Sequence, residues 1–289
     1  KVYDAIKKFE LPISNLFSKL FIIKKINYKF EITVTDSKSE YDSGYESYSK
    51  SQDATNQKEA ADNGDASAMY NYAQMLFKGK GISMDKERAA YYFKLSASKG
   101  NTSAMYRYGK MLLKGNGIIS DEKEAVRYFK MSADRGNDRA MNMYGSMLRR
   151  GDVVPQNKKE AAKYFLMSIK KGNSTAMNNL GQMLKDGDGI PQDKEAAAKY
   201  FRMSIEHGGD YAMYNLAQML KDGDGIQMDK SEAFSYFKMS ADQGNNYAMN
   251  SLATMLRDGD GIPLNKSEAI KYFKVSADQG NPYAMYNIG

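Results

Sequence analysis

The chain is 289 residues long and holds 20 Met and 22 Tyr but no Cys, no Trp and one His; 42 Lys and Arg against 35 Asp and Glu leave a net charge of +7. Without cysteine there is no disulfide framework, thiol nucleophile, redox pair or thiolate metal site, and a single histidine (His207) excludes paired-histidine chemistry. The charge is unevenly spread: residues 66–172 carry 21 basic and 9 acidic groups, residues 173–289 carry 11 and 15, and residues 31–65 carry 3 and 9.

From the N-terminus, residues 11–25 have the pattern of a short amphipathic helix, and Tyr28–Thr35 alternates like a strand through Phe30, Ile32 and Val34. Together they read as the end of a preceding folded domain. Lys19, Lys24 and Lys25 interrupt the apolar run and leave it too short for a membrane span. Residues 36–57, rich in Ser, Tyr, Asp and Glu, read as a flexible linker, and residues 58–64 as a degenerate cap on the next segment of chain, Asn56 and Gln57 standing where later segments have Tyr-Phe. Lys1 in place of an initiating Met, and Gly289 falling in mid-pattern, suggest a piece of a longer protein.

From residue 64 onward the chain repeats. Gly64, Gly100, Gly136, Gly172, Gly208, Gly244 and Gly280 are each 36 residues apart, and an Ala-Met pair (Ala68-Met69 to Ala284-Met285) and a Tyr-Phe pair (Tyr92-Phe93 to Tyr272-Phe273) keep the same step. A period of this length belongs to helical solenoids. Met69, Tyr72, Ala73 and Leu76 share one face of a helix expected near 66–78 (helix A), and Ala89, Tyr92, Phe93 and Ser96 share one face of a second near 86–98 (helix B). Asp85, Asp121, Asn157, Asp193, Asp229 and Asn265 supply N-caps for the B helices. Gly-x-Gly turns such as Gly79–Gly81 join A to B. Val153 replaces the second glycine in the third unit, and a β-branched residue resists positive φ, so that turn is expected to be remodelled. Seventeen of the methionines fall in three repeated columns, starting at Met69, Met75 and Met131, which read as core or inter-unit packing positions.

These residues resemble the Sel-1-like repeat, a relative of the tetratricopeptide repeat: Ala212-Met213 and Leu216-Ala217 in helix A, Gly223-Asp224-Gly225-Ile226 in the turn, and Asp229, Ala233 and Tyr236-Phe237 around helix B. The resemblance covers residues 65–289 as six units and a truncated seventh, departing from the pattern at Tyr72, Tyr108 and Tyr144, where Leu is expected. It implies an all-α, right-handed superhelix acting as a non-enzymatic adaptor, with partners in signalling or protein-quality pathways. Secreted bacterial members are usually cysteine-stapled, so a cysteine-free chain points to an intracellular, cytoplasmic setting.

Candidate chemistry is sparse. Asp186-Gly-Asp188-Gly189 suggests a calcium loop, but Ile190 and Ala197 occupy the positions of the next ligands, and the first unit has Lys78 and Lys80 in place of the acids, so the motif reads as a turn. The serines at 96, 132, 168, 204, 240 and 276 read as small packing residues, and His207 as a helix-end cap. No cofactor or metal is expected. By analogy with related helical repeats, a partner protein or extended peptide is expected in the concave groove. One lining column runs through Tyr70, Tyr106, Asn142, Asn178, Tyr214 and Asn250; another through Gln74, Lys110, Gln182 and Gln218; Tyr211 and Tyr247 join them late. Amides and tyrosines can pair with a peptide backbone at both N–H and C=O. A last column changes sign, from Lys78, Lys114 and Arg150 to Asp186, Asp222 and Asp258, and would give a bound segment a direction. The alternative is single-stranded nucleic acid or another acidic ligand on the basic first half, its bases stacked on the tyrosines.

Overall fold

The computed structural model describes residues 52–288. They form helices joined by short turns: α1 (52–62), α2 (Ala66–Lys78), α3 (Lys86–Ser98), α4 (Thr102–Lys114), α5 (Glu122–Asp134), α6 (Asp138–Arg150), α7 (Lys158–Ile169), α8 (Ser174–Asp186), α9 (Lys194–Glu206), α10 (Asp210–Asp222), α11 (Lys230–Asp242), α12 (Asn246–Asp258), α13 (Lys266–Asp278) and α14 (Pro282–Ile288). The even-numbered helices are the A helices and the odd-numbered ones from α3 are the B helices, and each packs on the helix before and after it in a right-handed α–α superhelix. The helix expected over 11–25 and the strand over 28–35 lie outside the described residues.

Both ends of each helix are fixed by local chemistry. The B-helix caps act as the sequence indicates: Asp85 Oδ1 accepts from Arg88 N–H at 2.9 Å and Asp121 Oδ1 from Glu124 N–H at 2.9 Å. The A helices are capped in the same way by Asp65, Asn101, Asn137, Asn173, Asn245 and Asn281, while Gly209 gives α10 no side-chain cap. Each side-chain cap contributes about 1 kcal/mol. Gly79 ends α2 at φ 66°, and its N–H returns to Met75 O, the usual left-handed stop.

Within a unit, the Phe of helix B is driven onto the small residue of helix A. Phe93, Phe129, Phe165, Phe201, Phe237 and Phe273 are at most 3% exposed. A Cβ added to Gly145 would stand 3.0 Å from the Phe165 ring, so this column holds only Gly or Ala. The serine column adds a polar pin: Ser96 Oγ donates to Ala66 O at 2.6 Å, Ser132 to Thr102 O at 2.8 Å and Ser168 to Asp138 O at 2.7 Å. Each of these bonds ties a B helix to the first residue of its own A helix, with no solvent competing for the hydroxyl. Ser240 is buried without a partner, in the unit whose A helix also lacks its cap.

The tyrosines that replace Leu in the first three units have a specific use. Tyr72 packs edge-on against Tyr92, Tyr108 against Tyr128 and Tyr144 against Tyr164, with ring centroids 4.8–4.9 Å apart. This geometry sets the positive edge of one ring against the negative face of the other. Tyr164 then donates to Asp134 at 3.0 Å, and Tyr92 to Asp62 at 3.0 Å, which holds α1 against the first unit.

Between units, the turn of one repeat seats on the start of the preceding B helix. A Cβ at Gly189 would fall inside the Lys158 side chain, and Gly225 and Gly261 face Lys194 and Lys230 in the same way. Those lysines pair with the aspartate between the glycines: Lys158 with Asp188 at 2.7 Å, Lys194 with Asp224, and Lys230 with Asp260. Arg149 adds a second cation to Asp188 at 2.6 Å. The second aspartate of each motif that suggests a calcium loop is thus a clamp between repeats. In the third unit, with Val153 in place of glycine, the turn keeps its length, and Asn157 N–H reaches Leu148 O at 2.9 Å as Asp85 reaches Leu76 O. Only its inner closure differs. In the other units Lys80, Asn116, Asp188, Asp224 and Asp260 N–H add a second bond, at 2.9–3.1 Å, to the methionine carbonyl that takes the stop glycine's N–H, whereas Met147 O takes the Gly151 N–H without that second bond and Asp152 pairs with Arg150.

The methionine columns divide. Met75, Met111, Met147, Met183, Met219 and Met255 are at most 7% exposed, and so are the six from Met69 to Met249. The Met131 column is not core: Met167, Met203 and Met239 are exposed on the B helices. Leu95 and Met131, the first two residues of this column, are half-buried against the core and Val275, the last, is exposed, so repetition there does not signify burial. In the Met69 column the last member, Met285 on α14, is exposed.

Phe165→Ala is expected to lower the unfolding free energy by about 3–5 kcal/mol, measured by denaturant titration. Asp188 gives a pH signature. The Lys158 hydrogen bond, with Arg149 beside it, holds its carboxyl below the ordinary aspartate range against an opposing effect of burial. A depressed folded value contributes stability above the unfolded value, about 3.9, that is lost as pH falls through the folded one. The stability difference between the native chain and Asp188→Asn should therefore be full above about pH 5 and vanish in acid.

Candidate partner-binding face

The A helices approach one another, α6 to α8 and α8 to α10, and so form the inner wall of the superhelix. Core packing of Met69, Tyr72, Ala73 and Leu76 leaves positions 70, 74 and 78 of α2, and their equivalents, on the open side of that wall. Position 70 is half-buried in every unit from the first to the sixth, position 74 likewise, and position 78 is exposed.

Where position 70 is tyrosine, its ring leans on the core phenylalanine beneath: Tyr70 on Phe93 at 5.7 Å, Tyr106 on Phe129 at 5.9 Å and Tyr214 on Phe237 at 5.9 Å. Where it is asparagine, its carbonyl is already used. Asn142 Oδ1 accepts from Asn179 at 2.8 Å, Asn178 from Asn215 at 2.9 Å and Asn250 from Asn287 at 3.1 Å. These amides form a ladder that bridges adjacent A helices, and a ligand meets only their N–H₂ side. In the second column Gln218 is tied to Tyr214 and Ser251, and Gln182 to Asp186, while Lys110 lies over the Tyr106 ring at 5.8 Å.

The face has two chemically different halves. Over units one and two, Gln74, Phe77, Lys78, Phe93, Arg107, Lys110, Met111, Lys114 and Asn116 line a narrow cleft of about 140 Å³. Its floor is apolar and its rim carries four cations. Burial is the first cause that lowers the Lys110 ammonium from its ordinary value, followed by repulsion from Arg107, Lys114 and Arg139. Among the described residues Lys78, Arg107, Lys110, Lys114 and Arg139 make no ion pair. Over units four to six, Asn178, Asn179, Tyr211, Tyr214, Asn215 and Tyr247, with Ser240 and Asn246, line a wider cleft of about 820 Å³. Tyr211 and Tyr247 project freely there, and the Tyr214 and Tyr247 rings stand 6.3 Å apart.

The expected reversal of charge along the position-78 column is damped. Arg150 pairs with Asp152 at 2.8 Å, Asp258 with Arg257 at 2.7 Å, and Asp222 has Lys221 at 3.8 Å. For Asp222 and Asp258 the partner comes from the column before, where Phe77 and Leu113 give way to Lys221 and Arg257, whereas Arg150 is held by the turn residue Asp152 and Asp186 accepts from Gln182. The polarity thus runs from basic to compensated rather than from basic to acidic.

Arg107, which lines the basic cleft, and the ladder amides Asn179 and Asn215 fall outside the columns chosen from sequence. They sit one position along the helix from the Tyr70 column, and only stacking brings them to the same place, as it brings Arg139, in the column of Tyr211 and Tyr247, close to Lys110. No three His, Cys, Asp or Glu side chains gather into a metal-binding group, and no helix is long and apolar enough to cross a membrane, among the described residues. His207 caps α9, its Nδ1 3.0 Å from Met203 O.

The Sel1 repeat family model matches residues 66–101, 102–137, 138–173, 174–209, 210–245 and 246–281. Among solved structures, c5321, a protective antigen of uropathogenic Escherichia coli strains with an SLR fold, aligns at 28% identity and TM-score 0.70 over 80% of this chain; the chain spans 50% of the length of c5321. A Sel1 repeat protein from Oxalobacter formigenes aligns at 26% identity and TM-score 0.70, over 73% of this chain and 85% of its own. The immunity protein PA5088 from Pseudomonas aeruginosa shares the fold at 19% identity and TM-score 0.51, over 76% of this chain and 83% of its own. No curated protein matches the chain in sequence.

Lys114→Gln removes one of the charges that repel Lys110. The Lys110 side chain should then titrate closer to ordinary lysine, as followed by ¹³C NMR of its ε-carbon.

Proposed function

The chain belongs to the Sel1 repeat family of helical scaffolds, which generally mediate protein–protein interaction and are typically non-enzymatic, and from that premise we propose that its inner face binds an extended segment of a partner protein, with acidic residues against the first two units. The observation that carries this reading is the row of cations Lys78, Arg107, Lys110 and Lys114 around an apolar floor, without an ion pair among the described residues. Holding like charges together costs free energy that an anionic ligand would recover, and the long-range field would speed its encounter. The half-buried tyrosines Tyr70 and Tyr106 add amphipathic contact area whose ordering cost is already met, because their rings rest on Phe93 and Phe129. The free donor sides of Asn142, Asn178 and Asn250 suit backbone carbonyls further along, and Tyr211, Tyr214, Gln218 and Tyr247 supply the wider cleft. Gln182 and Arg150, held by Asp186 and Asp152, are secondary in this reading.

Single-stranded nucleic acid is the competing reading, favoured by one observation: Tyr106 lies beneath Lys110 and beside Arg107. The two separate in one fluorescence-anisotropy experiment that uses a labelled Glu/Tyr-rich 12-residue peptide, its Gln/Tyr analogue and a 15-mer of thymidine. The acidic peptide is expected to bind, to weaken about tenfold or more in Arg107→Glu/Lys114→Glu, which corresponds to at least about 1.4 kcal/mol, and to weaken as salt is added. Equal binding of the neutral peptide, or affinity for the oligonucleotide alone, would refute the proposal.

A further inference from the structure

The cleft over units one and two lies beside the point where the undescribed part of the chain joins the fold. Asp53 and Gln57, near the start of α1, line a second cleft with Asn71, Gln74, Lys78 and Lys80. Gln74 and Lys78 belong to both clefts. The chain that precedes residue 52 therefore enters at the rim of the basic cleft.

That preceding chain has the composition the cleft favours. Between Ser39 and Ser49 it carries Glu40, Asp42 and Glu46 with no Lys or Arg, interleaved with Tyr41, Tyr45 and Tyr48. Three carboxylates match the rim of Lys78, Arg107, Lys110 and Lys114, and a tyrosine ring matches a floor of Phe77, Phe93 and Met111. Tyr45 lies 8 residues before Asp53, a reach of roughly 26 Å when extended. Such a tether gives an effective concentration on the order of millimolar, so even a contact with a dissociation constant near 1 mM would be substantially occupied.

We propose that residues 40–48 of this chain are themselves a ligand of the cleft over units one and two, and compete there with the external partner. The inference rests on the reading of this face as a site for acidic segments, and makes the acidic segment 31–65 and the basic array 66–172 complementary parts of one device. A partner must displace the tethered segment, so its apparent affinity is reduced by the fraction of molecules in which the cleft is occupied. The tyrosines and serines between the acids would tune that fraction if phosphorylated, since each phosphate adds charge of the sign the rim attracts.

The absence of cysteine makes the test clean. In the full chain, Tyr45→Cys is combined with Gln74→Cys, or with Asn250→Cys at the far end of the face as a control, and disulfide formation is followed by mass spectrometry at 1 and 50 µM protein. The expected result is an intramolecular cross-link for the first pair only, independent of protein concentration and lost in Glu40→Gln/Asp42→Gln/Glu46→Gln. Cross-linking that is equal for both pairs, or that survives neutralisation, overturns the proposal. So does a link found only between two chains, which would identify a second copy as the occupant. In a second arm, the same triple neutralisation without cysteines should raise the affinity of the labelled acidic peptide at least threefold. Unchanged tight binding overturns the tethered ligand and leaves the external site standing. If the peptide binds neither protein, the partner-binding reading fails, and the cross-link decides the tethered contact by itself.

Discussion

Every unit depends on one contact, the benzyl ring of helix B against a residue of helix A that has at most a methyl group. Phe129 on Gly109, Phe165 on Gly145 and Phe201 on Gly181 leave no room for a larger side chain, and the phenylalanines bury completely. Close approach of the two helices at this point fixes which residues of helix A face inward to the core and which remain on the open wall. Because every unit is built on the same contact, positions 70, 74 and 78 recur on the same side. A helix pair cannot complete its apolar burial alone, so the stack itself supplies the rest of the core.

The second organising feature is where charge is spent. Between units, Lys158, Lys194 and Lys230 are committed to the turn aspartates of the next repeat, and Arg149 joins the first of these pairs. On the inner wall of the later units, Lys221 and Arg257 stand beside Asp222 and Asp258. In the first two units Lys78 and Lys114 stand where the later units have aspartate, so the rim is cationic, and Phe77, where a later unit has a cation, lines an apolar floor. Changes in two adjacent columns thus produce the two halves of the recognition chemistry.

Much of the fold was legible because its signals are local and repeated. A helix cap needs its oxygen three residues before the N–H it accepts from, and a left-handed stop needs a glycine at one position; both are contained in a few adjacent residues. The candidate site was less legible. The columns through Tyr70, Gln74 and Lys78 face the open side as the register implies, but their chemistry depends on neighbours 33 to 37 residues away, such as Ser251 beside Gln218 and Asn179 beside Asn142. The methionines show the same division. The columns of Met69 and Met75 are core in the six full units, while that of Met131, with Leu95 and Val275 at its ends, lies largely on the surface. Periodicity identifies a position, whereas burial depends on what packs against it.

By itself, then, the sequence determined the repeat length, the two helices of each unit, their caps and stops, and the absence of cysteine chemistry, all of which arise from side chains acting within a turn or two of backbone. Only the tertiary structure decided which charges are free. Arg149 and Arg107 are both half-exposed guanidinium groups on A helices, yet the first is bound to Asp188 of the next unit and the second makes no ion pair among the described residues. Coulomb attraction acts through space, not along the chain, and is screened between exposed charges over about 8–10 Å at ordinary salt. The partners that neutralise a charge, or leave it open to a ligand, are therefore set by how the units stack.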